Sequence, residues 1–290
     1  QLLIQIKFMK IIVLRENLKK AFLNVEKAIG SSNLLPILKN ILIKTDKGQI
    51  RLSATNLEIA INQWINGKIV EEGGITIPAN IFGALLNNLY ETKIELEVID
   101  SKLKVKSENS ENFIQGIKES DFPIIPQIQS DNYLEIKLSL LKKSLNQIIS
   151  AAATSDRRPE INGILFWLKD KNLKLVATDT FRLAEKTLTE QEFKTNLIEL
   201  KVIIPLETIQ EFLKIDNEEE EKIKIYFDPH QVLFQFSNIQ LISRLIEGSF
   251  PDYEAIIPQE NQTSVIVNKE DLIKAIKLAS VFVSKINDIH

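Results

Sequence analysis

The chain has 290 residues, only two histidines, His230 and His290, and no cysteine. That inventory excludes disulfides and cysteine-ligated metals, and it leaves too few imidazoles for a histidine metal site or a histidine-based triad. No metal and no cofactor is expected. The polar cluster nearest to a catalytic arrangement is Asp179 with Arg182, Thr178 and Thr180, in the run ATDTFRLA at 177–184. It has no nucleophile–base pair, no histidine and no phosphate-cradling glycine loop beside it. Asp179, placed just after a strand pattern, is better suited to accepting turn hydrogen bonds. The remaining chemistry is that of binding. Lys20, Lys142 and Lys143 lie on amphipathic helical stretches, where an ammonium can meet a phosphate or simply face water. The acidic run Glu218–Glu221 lacks the spacing and glycine of a calcium loop and reads as a solvated helix-to-strand turn.

The elements that carry these residues occur twice. LPILKNIL at 35–42 and ATNLEIAI at 54–61 return as RPEINGIL at 158–165 and ATDTFRLA at 177–184, both 123 positions on. ENLKKAF at 16–22 returns at the same offset as LLKKSL. The segments after Pro78 and Pro205, and then ESDFP at 119–123 and EGSFPDY at 247–253, extend the correspondence with an offset that drifts to 128. EDLIKAI at 270–276 opens a third copy. A period this long marks whole domains rather than solenoid units.

Each copy reads as a short strand, an amphipathic helix, paired strands, a second helix, more paired strands and a Phe-Pro segment. In the first helix Leu18, Phe22, Val25 and Ile29 share one face, with Lys20, Asn24 and Lys27 opposite. Leu141, Leu145, Ile148 and Ala152 repeat the pattern, with Lys143 opposite. The second helices start just after Pro78 and Pro205, where proline is tolerated in a first turn. Hairpins alternating with helices predict an α+β fold with antiparallel sheet. The domains expected are 9–128, 129–259 and the start of a third at 260–290, with 1–8 an extension upstream of Met9. The formal charge is −3, which opposes a generally basic nucleic-acid binder but permits positive charge gathered on one face. No apolar run approaches the ~18 residues that span a membrane.

LPIL, ATNLEI, ATDTFRLA and SFPDY, set in tandem copies, resemble the bacterial DNA polymerase III beta subunits, the beta sliding clamps. The resemblance runs from Met9 to the end of the chain. It implies a DNA clamp fold: tandem domains, each with two helices packed on antiparallel sheet, the sheets forming the outer wall of a homodimeric ring. It implies a non-catalytic, cytoplasmic processivity factor for DNA replication. Its partners would be double-stranded DNA, encircled without sequence preference, the DNA polymerase III catalytic subunit, the clamp loader complex and other proteins carrying a clamp-binding motif. A tandem-domain scaffold that binds proteins alone is the rival reading. Topology separates the two, since a ring stays on circular DNA and runs off linear DNA.

The resemblance assigns roles by position. Lys20, Lys143, Arg157 and Arg158 would contact DNA, the two arginines from the loop SDRRPE. Ile161, Thr178, Thr180, Phe181, Arg182, Leu183, Pro251 and Ile256 would form the second domain's share of a partner-peptide pocket. Thr180 and Phe181 depart from the small or imidazole residues common there, and Ala255 replaces an occasional basic residue. Copy one has Leu57-Glu58-Ile59-Ala60 at the positions of Thr180–Leu183, so this is where the copies diverge in chemistry. The ring interface would pair strands between domains one and three, with Phe113 and Ile114 facing Phe282 and Val283. The chain as it stands, ending at His290, is expected not to close a ring.

Overall fold

A computed structural model of the chain describes residues 9–30, 35–155, 157–217, 221–258 and 260–283. The extension 1–8, Ser32, Glu218–Glu220 and His290 lie outside the described residues. The chain divides after Phe250 into two compact units.

The first unit contains both complete copies. Copy one runs β1 (Lys10–Leu14), α1 (Arg15–Val25), β2 (Asn40–Asp46), β3 (Gln49–Thr55), β4 (Ile59–Ile65), β5 (Lys68–Glu71), β6 (Gly74–Pro78), α2 (Ala79–Asn88), β7 (Lys93–Ile99), β8 (Lys102–Lys106), β9 (Glu111–Gln115) and β10 (Ile117–Lys118). Copy two runs β11 (Tyr133–Lys137), α3 (Leu138–Ile148), β12 (Gly163–Lys169), β13 (Asn172–Thr178), β14 (Leu183–Thr189), β15 (Phe193–Thr195), β16 (Leu200–Pro205), α4 (Leu206–Lys214), β17 (Lys222–Phe227), β18 (Gln231–Gln235) and β19 (Ile239–Arg244). The second unit holds α5 (Lys269–Ala279). Its first turn is capped by Asn268, whose side chain accepts from the amides of Glu270 and Asp271.

The repeat holds at the level of single dihedrals. The β2–β3 hairpin turns on Lys47 and Gly48 at φ 48° and 82°. The β12–β13 hairpin turns on Asp170 and Lys171 at 49° and 61°, again 123 positions on. Two central residues with positive φ suit a two-residue hairpin, because that turn's twist matches the twist of the strands.

Two expectations about the helices change. The face of α1 was expected to reach Ile29, but the helix stops at Val25, one 3-10 turn follows, and Ile29 is extended. The face of α3 was likewise expected to reach Ala152, but the helix stops at Ile148, one 3-10 turn follows, and Ala152 is extended. β4, β5, β6, β10, β14, β15, β16 and β19 were not foreseen individually.

The strands form three antiparallel sheets: β5-β1-β7-β8-β9, then β10-β6-β2-β3-β4-β19-β18-β17-β11-β15, then β14-β13-β12-β16. The long central sheet is one half of copy one joined to the opposite half of copy two. The join is β4 against β19, with Ile61 opposite Leu241 and Ala60 opposite Ile242. Ile61 and Leu241 are fully buried there, and burying each side chain is worth about 2 kcal/mol relative to exposure. This continuity makes the two copies one body. The helices cover one face of these sheets: α1 packs on β3 and β4, α2 on β6, α3 on β13 and β14, and α4 on β12 and β16.

Candidate functional site

Three groups of residues need placing: the basic residues, the turn that diverges between copies, and the strand edges.

The basic residues come first. Lys20, on α1 of copy one, lies 3.8 Å from Asp216, and both side chains are about half exposed. Lys142, on α3 of copy two, donates to the Ile215 carbonyl at 2.7 Å. Lysines from two domains thus converge on the segment that follows α4. A polar cleft of about 590 Å³ opens beside it, lined by Asn17, Lys20, Gln63, Asp216 and Asn238 among others. Lys143 is exposed and makes no ion pair among the described residues. Arg157 is exposed, and Arg158 holds Glu160 at 2.9 Å. That ion pair, after the backbone hydrogen bond at Glu160 itself, keeps the Glu160 carboxyl below its ordinary range.

Asn24, expected on the solvated face with Lys20, is buried at 1% exposure. Its Nδ2 donates to Gln63 Oε1 at 3.0 Å and to the Asp216 carbonyl at 3.4 Å, and its Oδ1 accepts from the Asp216 amide at 3.2 Å. The second domain covers this flank of α1, which a helical wheel cannot foresee. Lys27 is likewise turned inward, donating to the Leu23 carbonyl and Asn24 Oδ1, and desolvation lowers its pKa.

The diverging turn joins β13 to β14. Thr178 Oγ1 donates to the Arg182 carbonyl at 2.8 Å and accepts from the Thr180 amide at 3.1 Å. Asp179 Oδ1 accepts from the amides of Phe181 and Arg182 at 2.9 and 2.7 Å. Its Oδ2 receives the Arg182 Nε and Nη2 at 2.9 and 2.8 Å. The Arg182 amide, and then its guanidinium, hold the Asp179 carboxyl at about 2. Asp179 is therefore engaged in building the turn. Copy one uses the same scheme: Thr55 donates to the Ile59 carbonyl, and Asn56 accepts from the amides of Glu58 and Ile59. Leu57 and Thr180 occupy equivalent positions at φ 78° and 77°.

The side chains diverge on this shared frame. In copy one, Glu58 reaches over the junction. Its carbonyl accepts from the Arg244 amide at 3.0 Å, and its carboxylate lies 3.6 Å from the Arg244 guanidinium. The equivalent residue in copy two, Phe181, is 94% exposed. Leu183 is half-buried at the start of β14. Ile161 is buried and is tied to Thr178, because the Ala153 amide is shared between their carbonyls at 3.3 and 3.2 Å. The structure thus brings Ile161, Thr178 and Thr180–Leu183 together. Pro251 and Ile256 belong to the second unit, where Ile256 is exposed in a 3-10 turn.

The strand edges complete the picture. β9 ends the first sheet and β14 ends the third. By strand register β9 is the counterpart of β19, and β14 is the counterpart of β4. Each therefore matches one member of the β4·β19 join but, among the described residues, has a neighbouring strand on one side only, β8 for β9 and β13 for β14. On β9, Phe113 is 54% exposed and Ile114 only 3%, so Phe113 is the outward residue. In the second unit Phe282 is exposed and Val283 half-buried. Sequence reasoning missed Asn24, Gln63, Asp216 and the Glu58–Arg244 pair. The divergence between copies at Glu58 and Phe181 was the one signal pointing to the last of these.

Comparison with known proteins fits this geometry. Residues 9–126 match the family model of the DNA polymerase III beta subunit N-terminal domain, and residues 135–252 match that of its central domain. The beta sliding clamp of Streptococcus pneumoniae R6 is 31% identical over 281 residues, which is 93% of this chain and 74% of that protein. The beta sliding clamp of Bacillus subtilis 168 is 29% identical over 285 residues, 94% of this chain and 74% of that protein. The crystal structure of the B. subtilis DNA polymerase sliding clamp matches with a TM-score of 0.90 at 28% identity, covering 96% of this chain and 75% of that one. That of the Thermotoga maritima DNA polymerase III beta subunit matches at 0.85 and 26%, covering 94% and 74%. With both domain models matched in order and the same fold along nearly the whole chain, this protein belongs to the DNA polymerase III beta subunit family, the beta sliding clamps.

Proposed function

We propose that this chain works as a DNA sliding clamp, a non-catalytic processivity factor that encircles duplex DNA. The observation that carries this reading is the β4·β19 join together with its two counterparts, β9 and β14, which are sheet edges among the described residues. A head-to-tail contact of this kind closes into a ring when its rotation closes. Domains 9–128, 129–259 and one opening at 260 would each contribute one such join, and in the full-length protein Phe113 and Ile114 would meet Phe282 and Val283 of a second copy. The helices cover one face of the sheets, so they would line the hole.

Lys20, Lys143, Arg157 and Arg158 would meet phosphates there, through contacts that read no base and weaken with salt. Asp216 beside Lys20 keeps that attraction small, which suits a protein that must slide. Thr180–Leu183, with Ile161 and Thr178 behind them and Pro251 and Ile256 following, would receive the binding motifs of the DNA polymerase III catalytic subunit, the clamp loader and other partners. Phe181 supplies an exposed apolar surface, and Arg182 retains donors beyond those given to Asp179.

The test is topological. Protein of full natural length, loaded on nicked circular DNA, should stay bound through gel filtration and be lost once the circle is cut. Equal retention on circular and linear DNA would overturn the reading.

A further inference from the structure

On the sheet face turned away from the helices, Trp167 stands among three lysines. Lys169, Lys174 and Lys201 place their Nζ atoms 5.4, 5.4 and 4.7 Å from its ring centroid. The register explains the cluster: Trp167 on β12 is directly opposite Lys174 on β13 and Lys201 on β16. Its chain neighbours Phe166 and Leu168 point into the helix-side core. Lys174 has Glu185 at 3.8 Å. Lys169 and Lys201 have no carboxylate within 4 Å among the described residues, and the indole ring is what holds their ammonium groups. Converged ammonium groups repel one another, and an anionic ligand relieves that repulsion.

A cavity of about 430 Å³ adjoins the cluster, and Lys201 forms part of its rim. Its lining is mixed: Leu165 and Ile203, one step along the same sheet face from Trp167 and Lys201, and Phe250 supply an apolar part beside polar groups that include Ser249. The far rim carries His230 and Glu247, 3.9 Å apart.

We propose that this outward face docks an acidic linear peptide of a partner protein, with an apolar side chain in the cavity and carboxylates on Lys169 and Lys201. The alternative anionic ligand, single-stranded nucleic acid, needs a bare aromatic face on which a base can stack. Here lysines from the strands on both sides of β12, and from β12 itself, already lie over the indole. The apolar part of the adjoining cavity, formed by Leu165, Ile203 and Phe250, also suits a side chain better than a sugar or phosphate. This surface is separate from the Thr180–Leu183 turn and requires no ring closure.

The experiment uses the 290-residue chain and a fluorescein-labelled eight-residue peptide, in which a leucine–phenylalanine pair lies between three acidic residues on each side. Anisotropy should show saturable binding. Its Kd should weaken about tenfold in Lys169→Ala/Lys201→Ala, as loss of charge-assisted contacts implies. It should weaken similarly when glutamines replace the peptide's acids, and again when alanines replace its apolar pair. Arg182→Ala should leave it unchanged. In Trp64→Phe, Trp167 is the sole tryptophan, and its emission should change with the same midpoint. No binding, equal binding by Lys169→Ala/Lys201→Ala, or tighter binding of a thymidylate 12-mer than of the peptide would each overturn the proposal.

Discussion

Replacing Asn24 with alanine should loosen the junction between the two domains of the first unit. The side chain is buried, and it joins Gln63 on β4 to both backbone groups of Asp216, which follows α4 of the other domain. Alanine removes the whole bridge. Gln63 is itself 3% exposed, so its Oε1 loses the Asn24 donor where water has little access, a loss of about 1–2 kcal/mol. The Asp216 amide is nearer to solvent, and water recovers part of its bond, leaving about 0.5–1 kcal/mol. Alanine's better helix propensity returns about 0.5 kcal/mol. The net expected loss is about 1–2.5 kcal/mol. Native-state hydrogen exchange resolves where it falls: amides at the β4·β19 join should exchange faster by about 5- to 70-fold, while those of β7 and β8 keep their protection. A double-mutant cycle with Gln63→Ala should show coupling of about 1 kcal/mol. If β4 and β19 exchange as in the parent chain, Asn24 is not what holds the domains together.

Four further outcomes are expected. Gly83→Ala in α2 should destabilise by about 1–3 kcal/mol despite alanine's propensity, because its Cβ would sit 2.6 Å from the Phe22 ring, which is buried edge-on against Phe82; urea melts that show a gain would refute the close approach. Thr180→Gly should stabilise by about 0.5–1 kcal/mol, since a β-branched residue at positive φ is strained by more than glycine's extra chain entropy costs; the same melts decide it. The Asp179 carboxyl should titrate near pH 2 by NMR; a depressed folded-state pKa means its stabilising contribution is complete above the ordinary value near 4 and fades as pH falls toward 2, and Arg182→Ala should move the midpoint upward. In protein of full natural length, Phe113→Ala should weaken dimerisation by ~5,000-fold, because covering the exposed half of that ring removes ~100 Å² of apolar surface, worth ~2.5 kcal/mol at each of the two joins between copies; sedimentation equilibrium measures it, and an unchanged constant would remove β9 from the interface.

Whatever repeats or alternates was legible in the sequence. The 123-residue offset marked a duplicated domain, and the structure matches turn residues at that offset to within a few degrees, Lys47 with Asp170 and Leu57 with Thr180. The alternation of KIELEVI at 93–99 coincides with β7. Elements that depend on a neighbour's position were not legible. β5 has mostly exposed residues and exists because β1 pairs with it. Asn24 is polar and lies on the flank of an amphipathic helix, so local pattern assigns it to water; a second domain more than 190 residues away in sequence decides otherwise. Lys27 fails for the same reason.

The two copies share a backbone at the β3–β4 and β13–β14 turns, and so the difference in their side chains cannot be a difference of scaffold. In copy one the turn ends a seam: Glu58 and Arg244 meet across it at 3.6 Å, and Ala60, small and nearly buried, faces Ile242. In copy two the same positions are Phe181 and Leu183, which give no carboxylate to a neighbouring arginine and add apolar bulk at the edge. A strand edge that ends in Phe181 cannot rebuild the polar seal of the first junction, and any strand that pairs with β14 leaves that ring on the rim. An apolar residue 94% exposed beside a turn fixed by four side-chain hydrogen bonds to Asp179 loses little entropy on binding. The turn is rigid where a peptide would need a wall and apolar where it would need an anchor, whereas the first copy, with the same fold, places Glu58 at the position of Phe181 and ties it to Arg244.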